Sequence, residues 1–225
     1  MIRAVVLDLD GTLVNFNIDY KTLRAEVRSF LITQGIPASI LSLNDSIFEM
    51  LNKTEIFMKN NGKSTQAFKE VYAKVNNITE KYELEAAKTV SLLPGVTDVL
   101  KALKEEGLKV GLCTVSSEKT TNYILGKFKI GKFFDAVIPR EKVKHAKPHA
   151  EHLETTLKAL GAKPEETVMI GDSIVDVKCA RELKVIAVGV TSGVSNSKEL
   201  ADAGANYIIT LISDLPTLIE QINRT

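Results

Sequence analysis

The hydrophobic positions of the chain follow two rhythms. Near the start, Ala4-Val5-Val6-Leu7 is an unbroken aliphatic run that meets Asp8-Leu9-Asp10-Gly11-Thr12. A short apolar run bounded by a glycine turn predicts a fully buried strand, here over about 2–9. From about 16 to 90 the rhythm is helical. Leu23, Val27, Phe30 and Leu31 recur at helical spacing, as do Ile47, Met50, Leu51, Ile56 and Phe57, then Phe68, Val71, Tyr72 and Val75. Gly35-Ile36-Pro37 and Asn60-Asn61-Gly62 punctuate this stretch. After Leu93-Pro94-Gly95 the two rhythms alternate. They predict helix 95–106, strand 108–114, helix 117–129, strand 135–138, helix 149–160, strand 166–171, helix 174–183, strand 184–189, helix 197–203, strand 206–210 and helix 214–223. Such alternation predicts an α/β fold with a doubly wound parallel sheet and right-handed crossovers. The expected division is an α/β core of 1–15 with 91–225, and a helical insert of 16–90. No internal repeat or low-complexity tract is visible.

Composition narrows the class without choosing within it. A chain of 225 residues, 44% hydrophobic and 25% charged, is long enough for one sizeable core and a smaller second unit. A net charge of +1 gives no basic field for nucleic acid. No apolar stretch approaches the length of a membrane span, so no membrane partner is expected. The chain runs directly into its first strand, so no signal peptide is expected. Cys113 and Cys179 fall in apolar or helical segments, which suits free buried thiols and a cytoplasmic location better than a disulfide framework. The sequons at Asn44, Asn52, Asn77 and Asn223 then read as chance matches. The oligomeric state stays open.

The candidate chemistry lies where strands end. Asp8 and Asp10 are two residues apart, so on a persisting strand they would point the same way. Two adjacent anions need a cation, a shared proton or a positive centre on a substrate. A strand that ends in a polar turn accounts for Gly11 and Thr12, but not for both aspartates. Much later, Thr167-Val168-Met169-Ile170 ends in Gly171-Asp172, with Asp176 four residues on. Open α/β sheets place ligands at such carboxyl ends. Between the two lie Thr114, at the end of Val110-Gly111-Leu112-Cys113, and Lys147 in a Lys-Pro loop. Taken alone, Thr114 reads as a strand end and Lys147 as a solvated loop lysine.

In this order, these residues resemble the haloacid dehalogenase superfamily, and within it the phosphatases. Asp-Leu-Asp-Gly-Thr at 8–12 is similar to the first family motif, Thr114 to the second, Lys147 to the third and Gly-Asp-Ser-Ile-Val-Asp at 171–176 to the fourth. The first and fourth are specific; the others gain weight from their order. The resemblance spans essentially the whole chain and implies a Rossmann-like core with an inserted α-helical cap over 16–90. It implies a Mg²⁺-dependent phosphohydrolase acting on a small phosphorylated metabolite through an aspartyl-phosphate. Asp8 would be the nucleophile. Asp10 would be the general acid and base, a residue that the superfamily's dehalogenases lack. Thr114 and Lys147 would bind the phosphoryl oxygens. Gly11, Thr12, Val115 and Ser116 would line the substrate cradle, with backbone N–H groups near Gly11 and Val115. Mg²⁺ would be held by the Asp8 carboxylate, the Asp10 carbonyl and Asp172, with Asp176 orienting its water shell or Lys147. Length and cap type suggest phosphoglycolate as substrate; a β-phosphoglucomutase-like phosphomutase and a pyrophosphatase are the alternatives. Two departures, Ala150 where many members have a second proline and His145-Ala146 before Lys147, touch no catalytic role.

Other patterns carry less. His145, His149 and His152 have a metal-like spacing. Pro148 makes their start a loop, however, and His149 and His152 are expected as polar first-turn residues of the next helix. Gly126 to Lys132 is Walker-like, but Phe133 stands where a hydroxyl is needed. Gly62-Lys63-Ser64 has Phe57 in place of its first glycine. Gly189 and Gly193 read as turn residues at a strand end. Arg24, Arg28, Lys53, Lys59 and Lys63 are the insert's candidate anion contacts.

Overall fold

A computed structural model describes residues 1–224. The chain forms two compact units, one of Met1–Phe16 with the chain from Thr89 onward, the other of Asn17–Lys88. In chain order the strands and α-helices are β1 (Ala4–Leu7), β2 (Val14–Asn15), α1 (Tyr20–Thr33), α2 (Ile47–Asn60), α3 (Thr65–Ala87), β3 (Ser91–Leu92), α4 (Val96–Glu105), β4 (Lys109–Cys113), α5 (Glu118–Lys127), β5 (Ala136–Ile138), α6 (Glu151–Leu160), β6 (Thr167–Gly171), α7 (Ile174–Glu182), β7 (Ile186–Val190), α8 (Ser197–Asp202), β8 (Tyr207–Ile209) and α9 (Leu215–Arg224).

The first unit is built on a parallel sheet of order β5-β4-β1-β6-β7-β8. Every residue of β1 is fully buried, as expected for a strand covered on both faces. One face carries Ala4, Val6, Cys113 and Met169 against Leu153, Leu157 and Leu160 of α6 and Val177, Cys179 and Ala180 of α7. Burying each large aliphatic chain stabilises the fold by roughly 1.5–3 kcal/mol. Both cysteines are buried and free. Burial pushes each thiol up to about 12.

The strand order fixes the site. The chain runs from β1 to β4 and β5 on one side, then crosses back to β6 on the other. This reversal beside β1 is a topological switch point, where open sheets bind ligands beyond their strand ends. Leu7 lies level with Leu112 and Ile170, so the residues just past each strand converge.

Two expectations are corrected here. The first strand ends at Leu7, not near 9. Asp8 N still donates to Ile170 O at 2.9 Å, but Leu9 O then accepts from both Leu13 N (2.9 Å) and Val14 N (3.1 Å). The chain thus coils into a single turn around Gly11, whose φ of +71° favours glycine. Gly189 is not a turn residue but lies within β7, where a Cβ would come 2.9 Å from Leu200 Cδ1. The antiparallel pair β2–β3 was not expected; it joins Val14 to Leu92 and Asn15 to Ser91, beside the points where the chain leaves and re-enters this unit.

The second unit has its own core, with Leu23, Val27 and Leu31 of α1 meeting Met50, Leu51 and Met58 of α2 and Val71 and Val75 of α3. Ser46 and Glu49 form a capping box on α2, and Asp19 and Ser64 cap α1 and α3. Two of the candidate anion contacts are engaged within this unit. Arg28 donates to Leu41 O (2.9 Å) and Ala38 O (3.1 Å), and Lys53 pairs with Asp45 at 2.7 Å.

Candidate active site

The turn after β1, the turn after β6 and the loop before α6 bring Asp8, Asp172, Asp176 and Lys147 together, all four buried. Lys147 Nζ lies 2.6 Å from Asp176 Oδ1 and 2.8 Å from Asp8 Oδ1. The contact to Asp8 is a close, buried ion pair. Asp176, in the first turn of α7, also accepts from Ser173 N (3.2 Å) and Ser173 Oγ (2.7 Å). It therefore caps its helix and anchors the lysine at once.

Three carboxylates face one ammonium. Burial holds the Asp8 carboxyl well above the usual carboxylate range; Lys147 pulls it down, while Asp176, Asp10 and Asp172 push it further up. Burial likewise lifts Asp172 to about 6, against the Val194 N–H that stabilises its charge. Burial disfavours the Lys147 ammonium, but Asp176 and Asp8 outweigh it and hold this group well above its usual value. Oxygen atoms of Asp8, Asp172 and Asp176 all lie within 4.8 Å of one another. This excess of buried, converging carboxylates over a single ammonium fits a hard divalent cation.

Asp10 stands at the edge of this cluster, half-buried, and its Oδ2 accepts from Ser116 Oγ at 2.6 Å. Thr114 is fully buried; its N–H donates to Ile138 O, and its hydroxyl oxygen accepts from Ser116 N at 3.1 Å. Ser116 thus directs its hydroxyl at Asp10 and its N–H at Thr114. Val115 is exposed, and its carbonyl accepts from Arg140 Nη1 at 3.0 Å. Thr12 is fully buried with no hydrogen-bond partner for its hydroxyl. Gly11 packs so closely on Asp172 that a Cβ there would overlap the carboxylate.

Sequence reasoning missed two supports. His152 stands in the first turn of α6 as expected, but it is fully buried, and His149 lies before the helix rather than in it. It belongs to the stripe His152, Leu153, Thr156, Leu157, Leu160 that α6 turns inward, a helical spacing that was available as a signal. Burial lowers its pKa to about 4, so the ring is neutral near pH 7. Its Nδ1 accepts from Lys147 N at 3.2 Å, which assigns the proton to Nε2, 2.9 Å from Ile138 O. The ring therefore ties the Lys147 loop to the end of β5. The second support is the loop after β7. Val194 N donates to Asp172 Oδ2 (2.7 Å), Ser195 N to Asp172 O (3.1 Å) and Ser192 Oγ to Gly11 O (2.6 Å). Gly193 follows the strand end as expected, but it is also the residue whose Cβ would overlap Asp172 Oδ2.

The chain is similar to known proteins over most of its length. The family model described as haloacid dehalogenase-like hydrolase matches residues 5–190. Pyrophosphatase PpaX of Bacillus mycoides is 28% identical over 224 residues, covering 99% of each chain. Among solved structures, a β-phosphoglucomutase from Clostridium difficile has a TM-score of 0.69 at 24% identity, over 100% of this chain and 98% of that one. A protein described as a predicted phosphoglycolate phosphatase, from Haemophilus somnus, has a TM-score of 0.66 at 22% identity, over 97% and 98% of the two chains. These two likenesses concern the fold.

Proposed function

The chain belongs to the haloacid dehalogenase-like hydrolases, and from that premise we propose that it is a Mg²⁺-dependent phosphohydrolase working through an aspartyl-phosphate on Asp8. The observation that carries this reading is the Asp8 carboxylate, buried at a strand end, paired with Lys147 and ringed by Asp10, Asp172 and Asp176. Asp8 attacks phosphorus and the bond to the leaving oxygen breaks. Asp10, oriented by Ser116, gives that oxygen a proton. The same Asp10 then takes a proton from water as the water attacks the phosphoenzyme, which releases inorganic phosphate and restores both acids. Thr114 and Lys147 hold the phosphoryl oxygens, with backbone N–H groups near Gly11 and Val115. Asp8, the Asp10 carbonyl and Asp172 would hold Mg²⁺, with Asp176 behind them. The ion's contribution is to offset the repulsion between the Asp8 carboxylate and an anionic phosphate.

Pyrophosphate is the substrate we favour over phosphoglycolate and the hexose phosphates of a phosphomutase. Its support is the near-complete coverage by relatives named pyrophosphatase, at 28% identity. We assign substrate choice to the helical unit, as the cap of this enzyme. Rates on a panel of pyrophosphate, phosphoglycolate and glucose 1-phosphate rank these readings. Asp8→Asn should lower Mg²⁺-dependent hydrolysis of p-nitrophenyl phosphate by at least about a thousandfold, since an amide is a poor nucleophile. Near-normal turnover, with deamidation excluded by mass spectrometry, would overturn the assignment.

A further inference from the structure

A second group of metal-ligand side chains flanks the loop that carries Lys147. His145 and His149 stand two residues on either side of Lys147, and Glu151 opens α6. One ring nitrogen from each histidine and one Glu151 oxygen lie within 4.8 Å of one another. His145 Nδ1 is 2.7 Å from Glu151 Oε2, and the two rings face each other with centroids 4.8 Å apart. Both rings are exposed and Glu151 is half-buried, so an ion has access from solvent. The buried His152 is not part of the group.

The backbone beneath these side chains is held in place. Lys144 N donates to Glu151 Oε1 at 3.0 Å, and Glu151 N to His149 Nδ1 at 3.2 Å. His149 N donates to Ala146 O at 3.1 Å, and His149 O accepts from Cys179 Sγ at 3.6 Å. To form a coordination sphere the side chains rotate and His149 releases the Glu151 N–H from Nδ1, which frees a ring nitrogen for an ion. Four-coordinate zinc holds nitrogen and oxygen donors about 2.0–2.2 Å away, which sets them roughly 3.3 Å apart. The exposed imidazoles can close that gap with water as the fourth ligand.

We propose that His145, His149 and Glu151 form a binding site for a borderline divalent transition-metal ion of the Zn²⁺ class, separate from the carboxylate cluster around Asp8. The donor chemistry divides the two sites. Imidazole suits Zn²⁺, Ni²⁺ and Cu²⁺, whereas an all-oxygen set suits Mg²⁺. An ion here ties residues 145 and 149 together and so clasps the loop from which Lys147 reaches Asp8 and Asp176. The site does not depend on the proposed reaction.

The test is Zn²⁺ binding to the full chain in saturating Mg²⁺, followed by competition with a chromogenic chelator and by thermal melting. The expected result is one Zn²⁺ per chain at micromolar concentration, with a rise in melting temperature. His145→Ala and His149→Ala should each weaken this binding at least about tenfold, as expected for loss of a ligand, and should abolish the rise in melting temperature. Asp172→Asn should leave it intact. Circular dichroism confirms that the variants are folded; the rings are exposed and bear no core. Unchanged Zn²⁺ binding in the His145→Ala/His149→Ala double variant would overturn the proposal and place the ion elsewhere. Absence of uptake at micromolar Zn²⁺ would overturn it as well.

Discussion

In the proposed reaction, the aim of Asp10 rests on a single hydrogen bond from Ser116. A carboxylate acting as acid and then base must point at one oxygen throughout, and the 2.6 Å contact from Ser116 Oγ restricts Asp10 in that way. Asp10→Asn removes the group we propose as proton donor but keeps the backbone carbonyl that we assign to Mg²⁺. Its effect should therefore depend on the leaving group. Alkyl phosphates, which need the proton most, should lose far more rate than p-nitrophenyl phosphate in the first step. The second step still lacks its base, so a burst of p-nitrophenol should leave phosphate trapped on Asp8. Ser116→Ala should give the same pattern in weaker form. Loss of a hydrogen bond to a charged group, worth roughly 1.5–3 kcal/mol, corresponds to a slowing of about ten- to hundredfold on alkyl phosphates. Equal losses on both substrates, with no burst, would count against Asp10 as acid and base.

At the scale of elements, the loop after β7 acts on the site from outside the motifs. It grips Asp172 with two backbone N–H groups, and Gly193 allows the approach. Gly193→Ala should push this loop off the carboxylate and weaken Mg²⁺ binding about tenfold or more, as expected when a metal ligand loses its support. Gly126→Ala in α5, where a Cβ meets nothing within 4 Å, is the control. It should stabilise the helix by about 0.5–1 kcal/mol and leave Mg²⁺ affinity unchanged. Calorimetric Mg²⁺ titration of the two variants separates them, and equal affinities would mean the loop does not position Asp172. The difference between β1 and this loop also shows what the sequence could disclose. A buried strand imposes a local pattern, and Ala4–Leu7 and Thr167–Gly171 carry it along with their terminal aspartates. The requirement for glycine at 193 arises only when a residue 21 positions earlier is folded against it. β2 and β3 are too short for any periodicity. His152 escaped notice because a histidine reads as polar until its helix shows which face is buried.

At the scale of the whole molecule, strand order gathers more negative charge at one point than the fold neutralises by itself. The pH dependence of stability follows from this excess. Without a cation, Asp172 titrates near pH 6 rather than near its ordinary value of 3.8. Between those values the folded chain keeps a proton that the unfolded chain has released, so this group's contribution to stability falls as pH rises through that window. The upper bound for the loss is roughly 3 kcal/mol, from about 1.4 kcal/mol per pKa unit. A cation that binds the ionised cluster reverses the loss, because it binds only the folded state. The gain in melting temperature from Mg²⁺ over EDTA should therefore be small at pH 5 and grow as pH rises through 6. At a hundredfold excess over the dissociation constant, Mg²⁺ adds about 2.7 kcal/mol, or roughly 5–10 °C for a chain of this size. Asp172→Asn should melt at a temperature nearly independent of Mg²⁺ across the same range. A gain that is already complete at pH 5, or that survives in Asp172→Asn, would show that the cation is held by groups other than this buried cluster.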